Sequence, residues 1–391
     1  MNINEESLKL HEENRGKIEV ISKSKIKDMH DLAVVYTPGV AEPCRKIHQD
    51  ISQVYKYTTK GNMVAVVTDG TAVLGLGDIG PEAALPVMEG KAVLFKHFAG
   101  VDAFPICLAT KDPDKIVEAV TLIAPTFGGI NLEDISAPRC FEIENRLKKI
   151  LNIPVFHDDQ HGTAVIVLSG LINALKIVGK KIDEIKLVVN GAGAAAIAVS
   201  KFLMSSGVKN TILCDSKGII YKGRKENMNP VKEEMSKVTN REMIKGTLAN
   251  AIGEADVFIG LSVAGALKPE MVKSMATDPI VFAMANPIPE IMPDEAKKSG
   301  VRIVATGRSD FHNQVNNCLG FPAIFKGALK VRASQINEEM KIAAAYALAS
   351  LISEEELNED YIIPDAFDPR LVEVESEAVA KAAVKSGVAR I

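Results

Sequence analysis

Two short stretches set acidic side chains side by side at what read as strand exits. In NLEDI, Glu133 and Asp134 follow a Gly-Gly turn; in FHDDQHGT, Asp158 and Asp159 follow the apolar run IPVF and precede a long apolar stretch. Adjacent carboxylates repel each other unless a proton or a cation lies between them. An all-oxygen donor set of this kind suits a hard divalent ion, Mg²⁺ or Mn²⁺. Taken singly, either pair reads more readily as a helix cap. His157 and His161 stand four apart, but H-E-x-x-H is not spelled and no thiol is near, so zinc is not indicated. His161 reads instead as a hydrogen-bonding residue at a helix start. Lys91 lies in MEGKAVLFK, an otherwise apolar helical stretch. A buried lysine readily loses its proton, which a general base at neutral pH requires, whereas one that snorkels to the surface has no such role. Tyr36, in VVYTPGV, reads alone as a half-buried aromatic.

Two glycine motifs compete for a nucleotide. GLGDIG (75–80) spells G-x-G-x-x-G in full, and GAGAAA (191–196) only its looser form. The setting decides between them, because a phosphate-binding turn must follow a strand, open a helix and be followed by an acid. GAGAAA follows the strand-like IKLVVN and opens AAAIAVSKFLM, with Asp215 ending the next strand, TILCD. Gly191, Ala192, Gly193, Ala194 and Ala195 then cradle the pyrophosphate at a helix N-terminus, and Asp215 is placed for the ribose hydroxyls. GLGDIG has no acid in the matching place. It reads as a tight turn of the catalytic cleft, near the nicotinamide end of the cofactor.

The elements that carry these residues are set by periodicity. Up to about Lys60 the chain reads as helix and loop, and MVAVVTDG then reads as a buried strand. PEAALPVMEGKAVLFKHF reads as a helix that Pro86 and Gly90 kink or split. VDAFPICLAT is a strand, and DPDKIVEAVTLI a helix with an Asp cap and Pro at its first position. TAVIVLSGLINALKIVG is an apolar helix suited to lie between two packed surfaces. Beyond it, Val/Ile-rich strands alternate with helices, the pattern of a parallel sheet covered on both faces. The expected fold is α/β, with an N-terminal α/β substrate and metal domain (1–164) and a C-terminal Rossmann-like, doubly wound parallel-sheet NAD(P) domain with C-terminal helices (165–391). A length of 391 residues fits two domains. The net charge of −4 gives no basic stripe for nucleic acid, and no 18-residue run free of charge or turn residues suggests a membrane span. Five scattered cysteines and no apolar leader point to the cytoplasm.

Taken together, the motifs resemble the malic enzyme family: VYTPGV (35–40), TDGTAVLGLGDIG (68–80), EGKAVLFK (89–96), NLEDI (131–135), FHDDQHGTA (156–164), NGAGAAA (190–196), ANPIPEI (285–291) and SDFHNQVNN (309–317). The DDQHGTA spelling and the length look like the small bacterial and archaeal type. The resemblance implies oxidative decarboxylation of (S)-malate to pyruvate and CO₂ with NAD or NADP. It implies Lys91 as the base at the C2 hydroxyl, Asp158 as the group that orients it, and Tyr36 as the proton donor to C3. Glu133, Asp134 and Asp159 would hold the divalent ion, and Asn286 and Asn317 would contact substrate and the nicotinamide. Larger relatives carry Glu-Arg after TDG, where this chain has Thr71 and Ala72, so the cation for a malate carboxylate must come from elsewhere. Asp215 favours NAD, while Lys217, Lys222 and Arg224 leave room for a 2′-phosphate.

A homodimer is expected, with the partner chain completing the site near Tyr36. The alternatives are a malolactic or oxaloacetate-decarboxylating enzyme and a non-catalytic dinucleotide sensor. The joint presence of Tyr36, Lys91 and the three acids speaks against the sensor.

Overall fold

The computed structural model describes residues 2–73 and 75–391; Leu74, inside the stretch 68–80, lies outside them. Two parallel sheets organise the chain. The first holds β1 (Met63–Thr68), β2 (Asp102–Cys107), β3 (Gly129–Leu132) and β4 (Val155–His157) in the order β2-β1-β3-β4, every pair parallel. The central β1 is the β-branched run VAVV, and Val64 to Val67 are fully buried because helices cover both faces.

The second sheet holds β5 (Lys186–Asn190), β6 (Asn210–Asp215), β7 (Gly218–Ile219), β8 (Val257–Gly260), β9 (Ile280–Ala283) and β10 (Ile303–Thr306). Their order, β10-β9-β8-β5-β6-β7, is that of a dinucleotide fold. The two-residue antiparallel β7 stands where a third parallel strand would be. The alternating β/α reading of the second half therefore holds.

The helix Pro81–Ala99 is one continuous element and not the two pieces that Pro86 and Gly90 could have made of it. Pro86 lies on the exposed side, so the carbonyl one turn earlier that loses its N–H partner is left facing water. The helix Asp158–Val178 is long and apolar enough to span a bilayer, but 67% of that apolar window is buried inside the protein. It runs without a break through residues 164 and 165 and packs against the helices Ala194–Ser205 and Glu338–Ala349.

A single apolar cluster takes side chains from both sheets and from the C-terminal helices. Phe321 and Phe325, on the helix Phe321–Lys330, meet Phe95 edge-on at 4.7 and 5.4 Å between ring centroids. The end of the chain thus returns to brace the helix that carries Lys91. All five cysteines are free thiols.

Phe95 is fully buried between these rings. Replacing it with Ala should destabilise the protein by about 3–5 kcal/mol, read from the midpoint of urea unfolding. A change under about 1 kcal/mol would mean that the aromatic contact does not join the two halves.

Candidate active site

The acidic groups all leave the first sheet at the carboxyl ends of its strands, where open α/β sheets form their clefts. β3 ends at Leu132 and delivers Glu133 and Asp134; β4 ends at His157, and the next helix begins with Asp158 and Asp159. β1 delivers the turn Asp69-Gly70-Thr71, and the helix after it brings Lys91 back over the same edge. GLGDIG shapes this edge. Gly75, Gly77 and Gly80 have φ of +76°, +75° and +82°, open to glycine but strained for other residues. Ile79 and Gly80 donate their N–H groups to the Gly70 carbonyl at 3.1 Å, and a Cβ on Gly70 would meet the Gly80 carbonyl oxygen at 2.2 Å. The motif closes on the site turn and caps the Lys91 helix.

Lys91 is buried, and its Nζ donates to Asp158 Oδ2 at 2.7 Å and lies 2.9 Å from Glu133 Oε1. The ammonium also sits 4.3 Å from the centroid of the Phe321 ring. Burial by itself lowers the lysine pKa, but the charges of Asp158 and then Glu133 outweigh it and hold the pKa well above its ordinary value. This corrects the expectation of a lysine that burial alone brings toward neutrality. In this geometry the lysine is held in its charged form.

Asn131 donates to Glu133 Oε2 at 2.8 Å, and the Asp134 N–H donates to Asp159 Oδ2 at 2.9 Å. Oxygens of Glu133, Asp134 and Asp159 lie within 4.8 Å of one another, a set that a divalent ion can use. Burial, reinforced by the neighbouring carboxylates, raises Asp134 to about 9; burial raises Asp158 to about 7 and Asp159 to about 6. Asp158 Oδ1 is buried without a hydrogen-bond partner.

Several supporting residues escaped the sequence reading. Gly162, one turn along the helix from Asp158, leaves no room for a side chain: its Cβ would lie 1.9 Å from Asp158 Oδ1 and 3.2 Å from the Cβ of Asn317. A glycine inside an otherwise strong apolar helix was the available signal. Arg139 donates from Nη2 to Asp69 Oδ2, Thr71 Oγ1 and Ser136 Oγ at 3.1, 2.9 and 2.9 Å, bringing a guanidinium to the Thr71 turn. Nothing in its sequence context marked it. His161 sits, as expected, in a hydrogen-bonded position near the helix start: its Nε2 is 2.8 Å from Glu144 Oε1. Burial pushes His161 down to about 4.

In the second sheet, Gly191 (φ +133°) follows β5, and a Cβ there would meet the Leu261 carbonyl oxygen at 2.2 Å. Gly193 caps the helix that begins at Ala194 and Ala195, and Ala192 packs on the shared core. Asp215 ends β6, yet its carboxylate is already engaged. Arg224 grips both oxygens, Lys232 donates at 2.7 Å, Asn227 at 3.1 Å and the Lys217 N–H at 2.9 Å. These donors outweigh burial and hold Asp215 down at about 2. Glu290 accepts from the N–H groups of Ser262 and Ala285 at 2.8 and 3.0 Å, tying the exits of β8 and β9 together beside Asn286. Asn317 lies near Asp158 across Gly162. Tyr36 is 68% exposed, on an N-terminal arm whose helices Ile3–Asn14, Met29–Val35, Ala41–Gln49 and Val54–Tyr57 bury no residue.

The chain is similar to known proteins along both of its sheets. Residues 15–148 match the family model of the malic enzyme N-terminal domain, and residues 160–387 that of the malic enzyme NAD binding domain. The chain is 65% identical over 391 residues to the bifunctional malic/malolactic enzyme of Bacillus subtilis, covering 100% of this chain and 95% of that protein. It is 61% identical over 375 residues to the NAD-dependent malic enzyme of Geobacillus stearothermophilus, covering 96% and 78%. The crystal structure of malic enzyme from Pyrococcus horikoshii is similar with a TM-score of 0.96 and 52% identity, covering 100% of this chain and 92% of that one.

Substituting Gly162 with Ala forces Asp158 away from Lys91. Since a displacement of about 1 Å can lower turnover on the order of a hundredfold, kcat should fall at least about tenfold with the melting temperature little changed. Unaltered kcat would show that the Lys91–Asp158 contact is dispensable.

Proposed function

The chain belongs to the malic enzyme family, and from that premise we propose how its residues divide the work. The reaction is the oxidative decarboxylation of malate to pyruvate and CO₂ with reduction of NAD(P)⁺. The observation that carries the assignment of roles is the buried lysine held at 2.7 and 2.9 Å by Asp158 and Glu133, beside two further acids. In this reading Lys91 Nζ takes the proton of the C2 hydroxyl, and Asp158 fixes the direction of Nζ. Tyr36 Oη returns a proton to C3 after CO₂ leaves. Asn286 and Asn317 contact substrate and the nicotinamide end of the cofactor. Arg139 donates to Thr71 Oγ1, at the turn where larger relatives carry an arginine, and we assign it the support of that turn. Glu133, Asp134 and Asp159 would hold a divalent ion that would polarise the C2 oxygen, and a bound dinucleotide would supply the acceptor for the C2 hydride.

The fused name of the Bacillus subtilis relative favours a second reading, a malolactic activity in which the cofactor shows no net reduction. Assays with malate, Mn²⁺ and either NAD⁺ or NADP⁺ separate the two. Pyruvate and reduced cofactor in equal amounts are expected, and Lys91→Ala should abolish both. Lactate as the sole product, without net absorbance of reduced cofactor, would remove the oxidative reading. The clamp of Arg224 and Lys232 on Asp215 leaves net positive charge at the ribose end, which supports use of NADP as well as NAD.

Glu133, Asp134 and Asp159 fit a divalent cation, Mg²⁺ or Mn²⁺, by donor chemistry, and burial together with the neighbouring carboxylates holds their pKa values up. A carboxyl group with a raised pKa keeps its proton in the cation-free folded state until the pH passes that value. A cation must therefore displace protons, and its affinity rises with pH across the window from about 6 to about 9 set by Asp159 and Asp134. At fixed concentration, Mn²⁺ should raise the melting temperature more at about pH 8.5 than at about pH 6. Equal shifts at both pH values would take these carboxylates out of the metal site.

We assign the substrate and metal chemistry to 1–164 and the dinucleotide to 165–391, with the helix Asp158–Val178 serving both. The N-terminal arm exposes Ile3, Val20, Ile21, Met29 and Val34 together with Tyr36. That apolar surface supports a homodimer in which each arm lies on the partner and brings Tyr36 to its site. Sedimentation of the chain as a monomer at assay concentration would contradict this. Free thiols throughout support a cytoplasmic location.

A further inference from the structure

The amino ends of β1, β3 and β4 lie at the far end of the first sheet from the carboxylates. The six residues of β1 alone separate the two ends by roughly 20 Å. At this far end a cavity of about 450 Å³ opens between the segment around Tyr55, the end of the helix Pro113–Ile123, the turn before β4 and the arginines Arg332 and Arg390.

Its charge is one-sided. Lys60 Nζ and the guanidinium carbons of Arg332 and Arg390 lie 5.5, 5.1 and 5.8 Å from the centroid of the Tyr55 ring. No carboxylate lines the cavity among the described residues. Lys60 is 8% exposed, and its three N–H donors go to the carbonyls of Ala124, Pro125 and Phe127 at 2.9, 2.9 and 2.6 Å. Those carbonyls fix the ammonium without neutralising it. Burial, and then the charge of Arg390, bring Lys60 down to about 8. Arg390 donates from Nε and Nη2 to the carbonyls of Arg332 and Ala333 at 2.6 and 3.3 Å, which leaves Nη1. Among the described residues the Arg332 guanidinium makes no hydrogen bond, and it forms only the contact with the Tyr55 ring. Three cations facing one ring repel each other, and an anion among them removes that repulsion. The rest of the wall is mainly apolar, with Val54, Pro125, Leu151 and Ile153 beside Tyr55, and Ser52, Thr121 and Asn152 are its uncharged polar members.

We propose that this cavity binds a small organic anion, whose phosphate or carboxylate head is held by Arg332 and Arg390 and whose apolar body lies against Tyr55 and Ile153. A volume of this size is that of a small-molecule pocket, and the planar guanidinium forks suit both kinds of head. Lys60 contributes its field but no hydrogen bond, since all three donors are engaged. The inference does not depend on the residue roles assigned above, because the cavity shares no residue with that site.

Calorimetric titration of the full chain, with NAD⁺ and Mn²⁺ at saturation so that the cofactor and metal places are filled, tests the proposal, and the double arginine variant below separates binding in the cavity from binding at the substrate place. The probes are phenyl phosphate, phenylacetate and inorganic phosphate. One of the two phenyl compounds should bind once per chain, and the tighter of them identifies the head as phosphate or carboxylate. Inorganic phosphate, which lacks the body, should bind at least about fivefold more weakly than phenyl phosphate. Arg332→Gln with Arg390→Gln should weaken binding of the better probe by at least about tenfold, or about 1.4 kcal/mol, while malate turnover without probe is unchanged. As a second variant that keeps both arginines, Thr121→Trp fills the cavity from its wall and should block the probe. The proposal is overturned if no phenyl compound binds the native chain, if the double variant binds as the native chain does, or if Thr121→Trp leaves binding intact.

Discussion

A lysine buried between two carboxylates is the constraint on which the rest of this molecule turns. An isolated ammonium in that place would be too costly to keep charged, and isolated carboxylates would keep their protons. Brought to 2.7 and 2.9 Å of one another, Lys91, Asp158 and Glu133 satisfy each other, but only if three separate elements arrive in register. The helix after β1 supplies the lysine, the exit of β3 supplies Glu133, and the first turn after β4 supplies Asp158. The parallel order of the first sheet is what makes these three exits neighbours.

The surroundings serve that triad. Phe321 closes one side of the ammonium and Phe95 backs Phe321, so the C-terminal helices belong to the site as much as to the core. Asn131 holds the free oxygen of Glu133, and Gly162 leaves the volume that Asp158 occupies. On the other lobe, Glu290 performs a similar service for backbone instead of side chain, drawing two strand exits together.

Much of this was legible in the chain itself. The strands and helices of the second half, the strand–turn–helix setting of GAGAAA and the acidic pairs at strand exits all come from local pattern, because each depends on residues close in sequence. Three things did not. The pKa of Lys91 depends on partners 42 and 67 residues away, which reverse the effect of burial. The continuity of the helix through Pro86 depends on which side faces water. The engagement of Asp215 depends in part on Lys232, seventeen positions on and beyond a turn, which joins the carboxylate to an ion-pair cluster. In each case the deciding neighbour is distant in the chain or set by solvent, and composition carries no record of it.

The helix Asp158–Val178 carries two obligations at once: its first turn presents acids to the cleft, and its length is embedded between the helices of the second lobe. Each residue added to an α-helix rotates the rest of the helix by about 100° and advances it by about 1.5 Å. A single insertion or deletion inside this segment would therefore swing either the acids or the buried face out of place, whatever residue was used. The number of residues from the end of β4 at His157 to Val178 is thus fixed by geometry, whereas the connection from Gly179 to β5 can change length without moving either the acids or the buried face.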